Sequence, residues 1–521
     1  MAQICGRVKR HTIISKHQFA VLSLCCIVGL SIMTTYNTHI DNLRAKEVGT
    51  AIDTVVKTIH SRVSSLSGLE LKEYNDSLTV HASSDKVIIL SFVDMSFLDM
   101  ALNFYETSIV KFNIDNYLFL TNDATTCQMF RFKMINCYVY AQHKDTTNEA
   151  TIYNSIEFNK KMAIRPYFIL DALICGFTVL HCDVDVVFFR NPLTDLKSSV
   201  TSDVACLLDI EQCNAGFVYI KPTIFALDLY TTIIKTIHVF QLDDQTALKR
   251  ALDSLTKIYQ SHVHHNQTLD DNKYQCGVKY FQIGERYFIE SSPCSRCIVV
   301  HNNWIVTKEA KRYRFRELLL WSYDNNGYYS NTSTKYIIYS NPPISSSLQK
   351  DSISLELNTL KTVLYIGHVL KRVVILPRFH LAKSSNSKRQ SAERLLNNWL
   401  KMADFDGQFF DKYRENCFLR HPKVPEMIKN DITSPFWIKT EQSMAILGYH
   451  PPGVSVITPH DKKMISTREL EELFGSQRSS VLNFHSLYGL FGTDVIPKSA
   501  EMLPFNRKLK LAFKYTYYNQ L

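Results

Sequence analysis

The run Phe177-Thr-Val-Leu-His-Cys182 constrains this chain more than any other stretch: it is of strand length, nearly all apolar, and stops abruptly on Asp183-Val-Asp185. A strand so apolar has to be covered on both faces, as in parallel sheets flanked by helices. The sequence before it supplies that cover. The run between Lys86 and Asp94 is rich in β-branched residues, and Leu98, Ala101, Leu102, Tyr105 and Ile109 then recur at helical spacing. Tyr117–Leu120 and Cys137–Tyr140 read as further strands. A helix near 165–175 has Pro166 in its first turn and Gly176 as its stop. This alternation predicts an α/β sandwich with a mostly parallel sheet. Ligands of such sheets bind at the carboxyl ends of the strands, which is where the aspartate pair lies.

Two carboxylates one residue apart at a strand end suit one hard divalent ion, Mn²⁺ or Mg²⁺, bridging the phosphates of a nucleotide-sugar. Acidic groups ending so apolar a strand need a compensating charge, and a cation provides it. Three later stretches add to the pattern. In Cys213-Asn-Ala-Gly-Phe-Val-Tyr-Ile-Lys-Pro222 a small-residue turn leads into a strand; Gly216 permits close backbone approach, and Asn214 offers a donor and an acceptor for sugar hydroxyls. Leu242-Asp-Asp-Gln-Thr-Ala-Leu248 starts an amphipathic helix through Leu252 and Leu255, with Asp243 or Asp244 available as its cap. Ile298-Val-Val-His-Asn-Asn-Trp304 ends a strand on His301, a candidate third metal ligand.

In this order and spacing, the motifs DVDVVFFRNP, CNAGFVYIKPT, DDQTAL and VVHNNW resemble the nucleotide-diphospho-sugar transferases, and glycosyltransferase family 77 in particular, over about residues 86–325. The resemblance implies a GT-A fold, a cation bound by the D-x-D motif, and sugar transfer with retention of anomeric configuration. It implies that Asp183 contacts the nucleotide ribose or the metal, that Asp185 ligates the metal and that His301 completes the shell. Asn214 and Gly216 line the donor sugar, Asp244 and Gln245 lie near the reacting centre, and Lys161 and Arg165 face the diphosphate. UDP is the nucleotide implied, with a glycan or glycoprotein as acceptor. His181-Cys182 and Phe188-Phe189 depart from the family's usual residues, so no particular donor sugar carries over.

The ends of the chain set its expected surroundings. Residues 18–38 carry no charge and, as a helix, span roughly 30 Å, one bilayer core. Arg7, Lys9, Arg10 and Lys16 precede them without an acidic residue, which puts the N-terminus in the cytosol. The expectation is a single-pass type II Golgi membrane protein: a cytosolic tail over 1–17, a signal anchor over 18–38, a lumenal stem over 39–85, a catalytic domain over 86–335 and a C-terminal region over 340–521. The sequons at Asn75, Asn266 and Asn331 all fall on the lumenal side. Ten of the thirteen cysteines do too, and can pair there; Cys294-Ser-Arg-Cys297 has no partner motif to complete a zinc site. In the C-terminal region, Leu355–Leu370 reads as a helix, Arg372–Arg378 as a strand and Lys383–Arg394 as a polar loop.

Composition closes off other classes. Hydrophobic residues at 45% and charged residues at 21% are those of a chain with a real core. The net charge of +10 is scattered, with no basic run or aromatic-basic motif, which argues against nucleic acid. Two rival readings stay open at this level. One is a transferase-like Golgi binding or scaffold protein without turnover. The other is a haloacid-dehalogenase-type phosphatase with Asp183 as nucleophile, although that motif ordinarily follows the first strand of its fold.

Overall fold

The computed structural model describes residues 57, 68–140, 155–259, 265–277, 294–305, 307–342, 344, 348, 352–377, 379, 400–491, 496 and 503–514. The expected tail, membrane span and basic loop at 383–394 lie outside them. Among the described residues, no helix is long and apolar enough to cross a membrane. The chain divides into two compact units. One comprises Met1–Ala101, Ser108–Cys276 and Cys297–His301; the other comprises Leu102–Thr107, Gly277–Arg296 and Asn302–Leu521.

Helix α1 (Gly68–His81) falls within the stretch expected to be a stem, yet it is folded. Tyr74 and Leu78, one turn apart, are buried in the core of the first unit. The strands that follow are β1 (Val87–Phe92), β2 (Tyr117–Thr121), β3 (Cys137–Val139), β4 (Thr178–Cys182), β5 (Val186–Phe188), β6 (Val204–Asp209), β7 (Gln212–Ile220), β8 (Asn266–Thr268), β9 (Tyr274–Gln275) and β10 (Val299–His301). Between them run helices α2 (Leu98–Phe104), α3 (Ala124–Phe132), α4 (Ile156–Met162), α5 (Ile164–Ile174), α6 (Pro192–Ser199), α7 (Ile224–Phe240) and α8 (Asp244–Ile258).

Seven strands form the main sheet in the order β3-β2-β1-β4-β7-β6-β8. The pairs among β3, β2, β1 and β4 are parallel, as is β6 with β8; only β7 runs antiparallel to its neighbours β4 and β6. Every residue of β1 and β2 is buried, as expected of strands covered on both faces. A second sheet of three strands, β5-β10-β9, extends the chain just beyond β4. The mostly parallel α/β architecture expected from the sequence is present.

One local expectation fails. Asn214-Ala-Gly216 is no turn but part of the nine-residue strand β7. The chain reverses earlier, through Ile210 in the left-handed region at φ 59°, and the register slips between Cys206 and Leu208. Small residues read as a turn in isolation; here two partner strands and the Cys206–Cys213 disulfide hold them extended.

The long continuous segment of the second unit starts at Asn302, inside the 86–335 domain expected. The reason is packing: α9 (Lys308–Glu317) places Ala310 and Tyr313 in one core with Ile337 and Tyr339 of β11 (Tyr336–Tyr339). The rest of the unit is a six-stranded sheet, parallel throughout, with β12 (Val373–Ile375), β13 (Tyr413–Arg414), β14 (Phe436–Ile438), β15 (Ser455–Ile457) and β16 (Val481–Ser486) in the order β13-β12-β11-β16-β14-β15. The helix and strand expected near 355–378 are α10 (Ser352–Val369) and β12.

Candidate active site

Two strand pairings assemble the site. β4 pairs antiparallel with β7, Cys182 opposite Phe217, and Asp183 N–H donates to Gly216 O at 2.8 Å to carry the ladder one residue further. β5 pairs antiparallel with β10, His301 opposite Val186. Asp183, Asp185 and His301 are thereby brought together from positions far apart in sequence. His301 Nε2 lies 3.1 Å from Asp185 Oδ1 and 3.7 Å from Asp183 Oδ2. One potential ligand atom from each of the three falls within 4.8 Å of the others. Asp185 and His301 are buried, whereas the Asp183 side chain is 21% exposed, so the cluster opens on the Asp183 side.

The residues fit a divalent cation. Two carboxylates and an imidazole supply hard oxygen and borderline nitrogen donors, and among the described residues His301 Nδ1 is buried without a hydrogen-bond partner. Gly216 keeps this space clear. A Cβ there meets Asp183 Oδ2 at 2.5 Å and His301 Cε1 at 2.7 Å, closer than side chains pack. Its role is to make room for the cluster's own side chains.

Arg165, in the first turn of α5, joins the cluster to the next element. Its guanidinium lies 2.9 Å from Asp183 Oδ1 and 3.1 Å from Asp244 Oδ2. Burial opposes its charge, but Asp183 and Asp244 outweigh burial and its pKa is raised. Burial likewise raises the pKa of Asp244, against the pull of Arg165. Asp244 is not the cap of α8: Asp243 Oδ1 accepts from Thr246 N–H at 2.9 Å, and Asp244 turns inward. Among the described residues a cavity lies beside this pair, lined by Arg165, His181, Ala215, Tyr230 and Asp244 together with apolar side chains.

Asn214 and Gln245 are present as supports. Asn214 Nδ2 donates to Asp209 Oδ2 at 3.0 Å, and its Oδ1 accepts from Gly216 N–H at 2.9 Å. Gln245 Oε1 accepts from Ala215 N–H at 2.8 Å, and its Nε2 donates to Cys213 O at 2.6 Å. Both amides bond to β7 and its surroundings. Lys161, expected to face a diphosphate, is buried and pairs with Asp94 Oδ2 at 2.8 Å.

Two residues near the site escaped the sequence reading. Asp94 ends the apolar run of β1 much as Asp183 ends that of β4, and these strands are adjacent, with Leu90 opposite His181. That shared pattern was the available signal. His181 is buried, donates from Nδ1 to Leu90 O at 3.1 Å, and is pushed down to about 4 by burial, so it is neutral. With Nδ1 protonated, Nε2 carries a lone pair 3.8 Å from Asp183 Oδ1.

The sequons differ in setting. Asn75 is half-buried on α1, Asn266 is exposed on β8, and Asn331 is exposed with Oδ1 accepting from Ser333 N–H at 2.8 Å and Ser333 Oγ at 2.7 Å. Cys127–Cys137 and Cys206–Cys213 are disulfides; Cys294 and Cys297 are also disulfide-bonded, which leaves no thiolate pair for zinc. Among the described residues Asp183 follows the fourth strand of the unit, whereas the phosphatase motif of the dehalogenase type ordinarily follows the first.

A carboxylate–carboxylate–imidazole cluster at the carboxyl end of a buried strand, with a guanidinium beside it, has the donor groups to hold a cation. The family profile described as nucleotide-diphospho-sugar transferase matches residues 113–315, the segment that carries all of these groups, so the resemblance read from the motifs holds. Curated relatives agree. A UDP-galactose:fucoside alpha-3-galactosyltransferase of Dictyostelium discoideum is 25% identical over 46% of this chain and 43% of its own length. In Arabidopsis thaliana, a beta-arabinofuranosyltransferase is 24% identical over 47% of this chain and 50% of its own. A UDP-D-xylose:L-fucose alpha-1,3-D-xylosyltransferase from that plant is 22% identical over 52% and 76%. The chain thus spans about half the length of the first two. Among solved structures, a glycosyltransferase of Streptococcus pneumoniae covers 77% of this chain and 96% of that one at 11% identity, with a TM-score of 0.31, too low to carry any argument.

Proposed function

We propose that this chain is a glycosyltransferase that moves a sugar from a UDP-sugar to a glycan or glycoprotein acceptor, using Mn²⁺ or Mg²⁺ held by Asp183, Asp185 and His301. The observation that carries the proposal is their convergence within 4.8 Å inside the segment matching the sugar-transferase profile. The activities of the relatives support the donor class: UDP-galactose in one, UDP-D-xylose in another.

When bound, the cation neutralises charge on the departing diphosphate. The chain's own residues do the rest. Arg165 holds Asp183 and Asp244 in fixed relation by its two ion pairs. Asp244 sits beside the pocket as the carboxylate available to orient the acceptor or stabilise positive charge at the anomeric carbon. Gly216, Asn214 and Gln245 fix the backbone of β7 against which the donor lies. In the retaining reaction that the resemblance implies, the acceptor proton passes to the departing phosphate on the same face, so no separate base is required. An α-linked UDP-sugar should then give an α-linked product, read by proton NMR of the new anomeric centre; a β-linked product contradicts retention. Nucleotide binding without any transfer or hydrolysis across a nucleotide-sugar screen supports the scaffold reading instead.

The same proposal places the catalytic unit in the Golgi lumen behind a single-pass type II anchor at 18–38. The uncharged span with its basic flank and the disulfides support this. Asn331 is one of two exposed sequons, with Asn266. Glycosidase digestion of the membrane-bound protein should shift its mobility, and Asn331→Gln should remove part of that shift. An unglycosylated protein, or a C-terminus digested by protease in intact microsomes, contradicts the topology.

A further inference from the structure

Beside the Asp183–Asp185–His301 cluster lies a buried side chain with one hydrogen-bonding atom unmet. His181 sits near the end of β4, which runs between β1 and β7 in the middle of the main sheet. Its ring is 1% exposed and lies 5.7 Å, centroid to centroid, from that of Phe168 on α5. Nδ1 faces Leu90 O at 3.1 Å. A carbonyl oxygen can only accept, so Nδ1 holds the proton of the neutral ring and Nε2 presents a lone pair. Among the described residues, Nε2 is buried with no hydrogen-bond partner. Orphaned groups of this kind are rare in folded proteins and are usually met by water or ligand.

A cavity adjoins it. His181 lines the cavity beside Arg165 and Asp244, and the apolar walls include Pro166, Ile169, Ile233 and Leu248. All of these residues belong to the first unit. The cavity measures about 20 Å³. That is room for one hydroxyl or one water and too little for a sugar ring. A single hydroxyl reaching in from a ring held outside fits both the size and the apolar walls.

The parts of a bound nucleotide-sugar differ in what they can offer Nε2. Diphosphate oxygens only accept, so they cannot pair with a lone pair. The cation belongs on the other side of Asp183, which turns Oδ2 toward His301 at 3.7 Å and Oδ1 toward Arg165 at 2.9 Å. His181 Nε2 lies 3.8 Å from Oδ1, on the guanidinium's side, where a positive ion is repelled. A sugar hydroxyl donates a proton and completes the ring's hydrogen bonding. We infer that His181 Nε2 accepts a hydrogen bond from one hydroxyl of the donor sugar and thereby helps to select which sugar is bound. This rests on the UDP-sugar reading of the site and adds a specificity-determining residue to it.

The experiment reads binding, so it does not require turnover. Calorimetry on the full chain in Mn²⁺ compares UDP with UDP-glucose, UDP-galactose and UDP-xylose, then the tightest of these sugars with its monodeoxy analogues. Removing one particular hydroxyl should cost at least about tenfold in affinity, since a site built around a hydroxyl rejects the analogue that lacks it. In His181→Phe, or His181→Leu if the phenyl ring prevents folding, that loss should shrink below about threefold, while the other analogues behave as in the wild type. His181→Gln, which returns an acceptor near the position of Nε2, should restore part of the discrimination. UDP alone lacks the donor sugar, so its affinity should change less than about twofold in these variants. The inference is overturned if no single hydroxyl matters, or if the apolar variant discriminates as the wild type does, Nε2 then serving only water. It is also overturned if that variant weakens UDP as much as the UDP-sugar, which assigns Nε2 to the ribose or the cation. UDP that fails to bind in Mn²⁺ overturns the donor reading itself, and this inference with it.

Discussion

At the residue scale, the site depends on a missing side chain. Gly216 has an ordinary extended conformation, so its requirement is not backbone freedom but the space a Cβ would take from Asp183 and His301. Gly216→Ala should displace those two side chains. The overpacking should cost about 1–3 kcal/mol. A shift near 1 Å at a reacting centre should lower UDP-sugar turnover by about 100-fold. A variant with wild-type turnover in a nucleotide-sugar hydrolysis assay contradicts this account of the glycine. Asp183, Asp185 and His301 were legible in the sequence because polar residues ending apolar strands announce themselves. Asp94 ends its strand in the same way but stands in no recognised motif, and His181 reads as part of its strand until β1 and β4 are laid side by side. The link from Arg165 to Asp244 was also hidden: it requires α5 and α8 to meet, and periodicity says nothing of which helices are neighbours.

At the element scale, α8 locks β7 in place. Asp243 caps the helix, which frees Asp244 to face Arg165, while Gln245 grips Ala215 and Cys213 through both amide atoms. The sequence showed the amphipathic helix and its start but left open which aspartate capped it, since adjacent acidic residues compete for the same N–H groups. Gln245→Leu keeps the bulk and removes the bonds. It should destabilise the chain by about 1 kcal/mol for the part-buried Ala215 N–H left unpaired. Turnover should fall more than UDP affinity, because the strand beside the donor loosens. Denaturant unfolding and steady-state kinetics measure the two; equal stability and unchanged kcat contradict the role. The misread turn at Asn214–Gly216 has the same origin. Small residues favour turns locally, and only the pairing with β4 and β6 shows that they form a strand.

At the scale of the whole molecule, two α/β units share the chain, and the Asp183–Asp185–His301 cluster belongs wholly to the first. The sequence resolved that unit well because its strands are apolar enough to stand out, as in the fully buried β1 and β2. The second unit was harder to read: β12 and β14 are three residues each and β13 is two, too short for any periodicity. The proposed function stands on Asp183, Asp185 and His301 binding a nucleotide diphosphate through a divalent cation. Calorimetric titration of the purified protein with UDP, in Mn²⁺ and then in chelator, tests it most directly. Binding should be much tighter with Mn²⁺, and a folded Asp185→Asn variant should lose most of that gain. UDP binding that is indifferent to metal and unchanged by the substitution would contradict it.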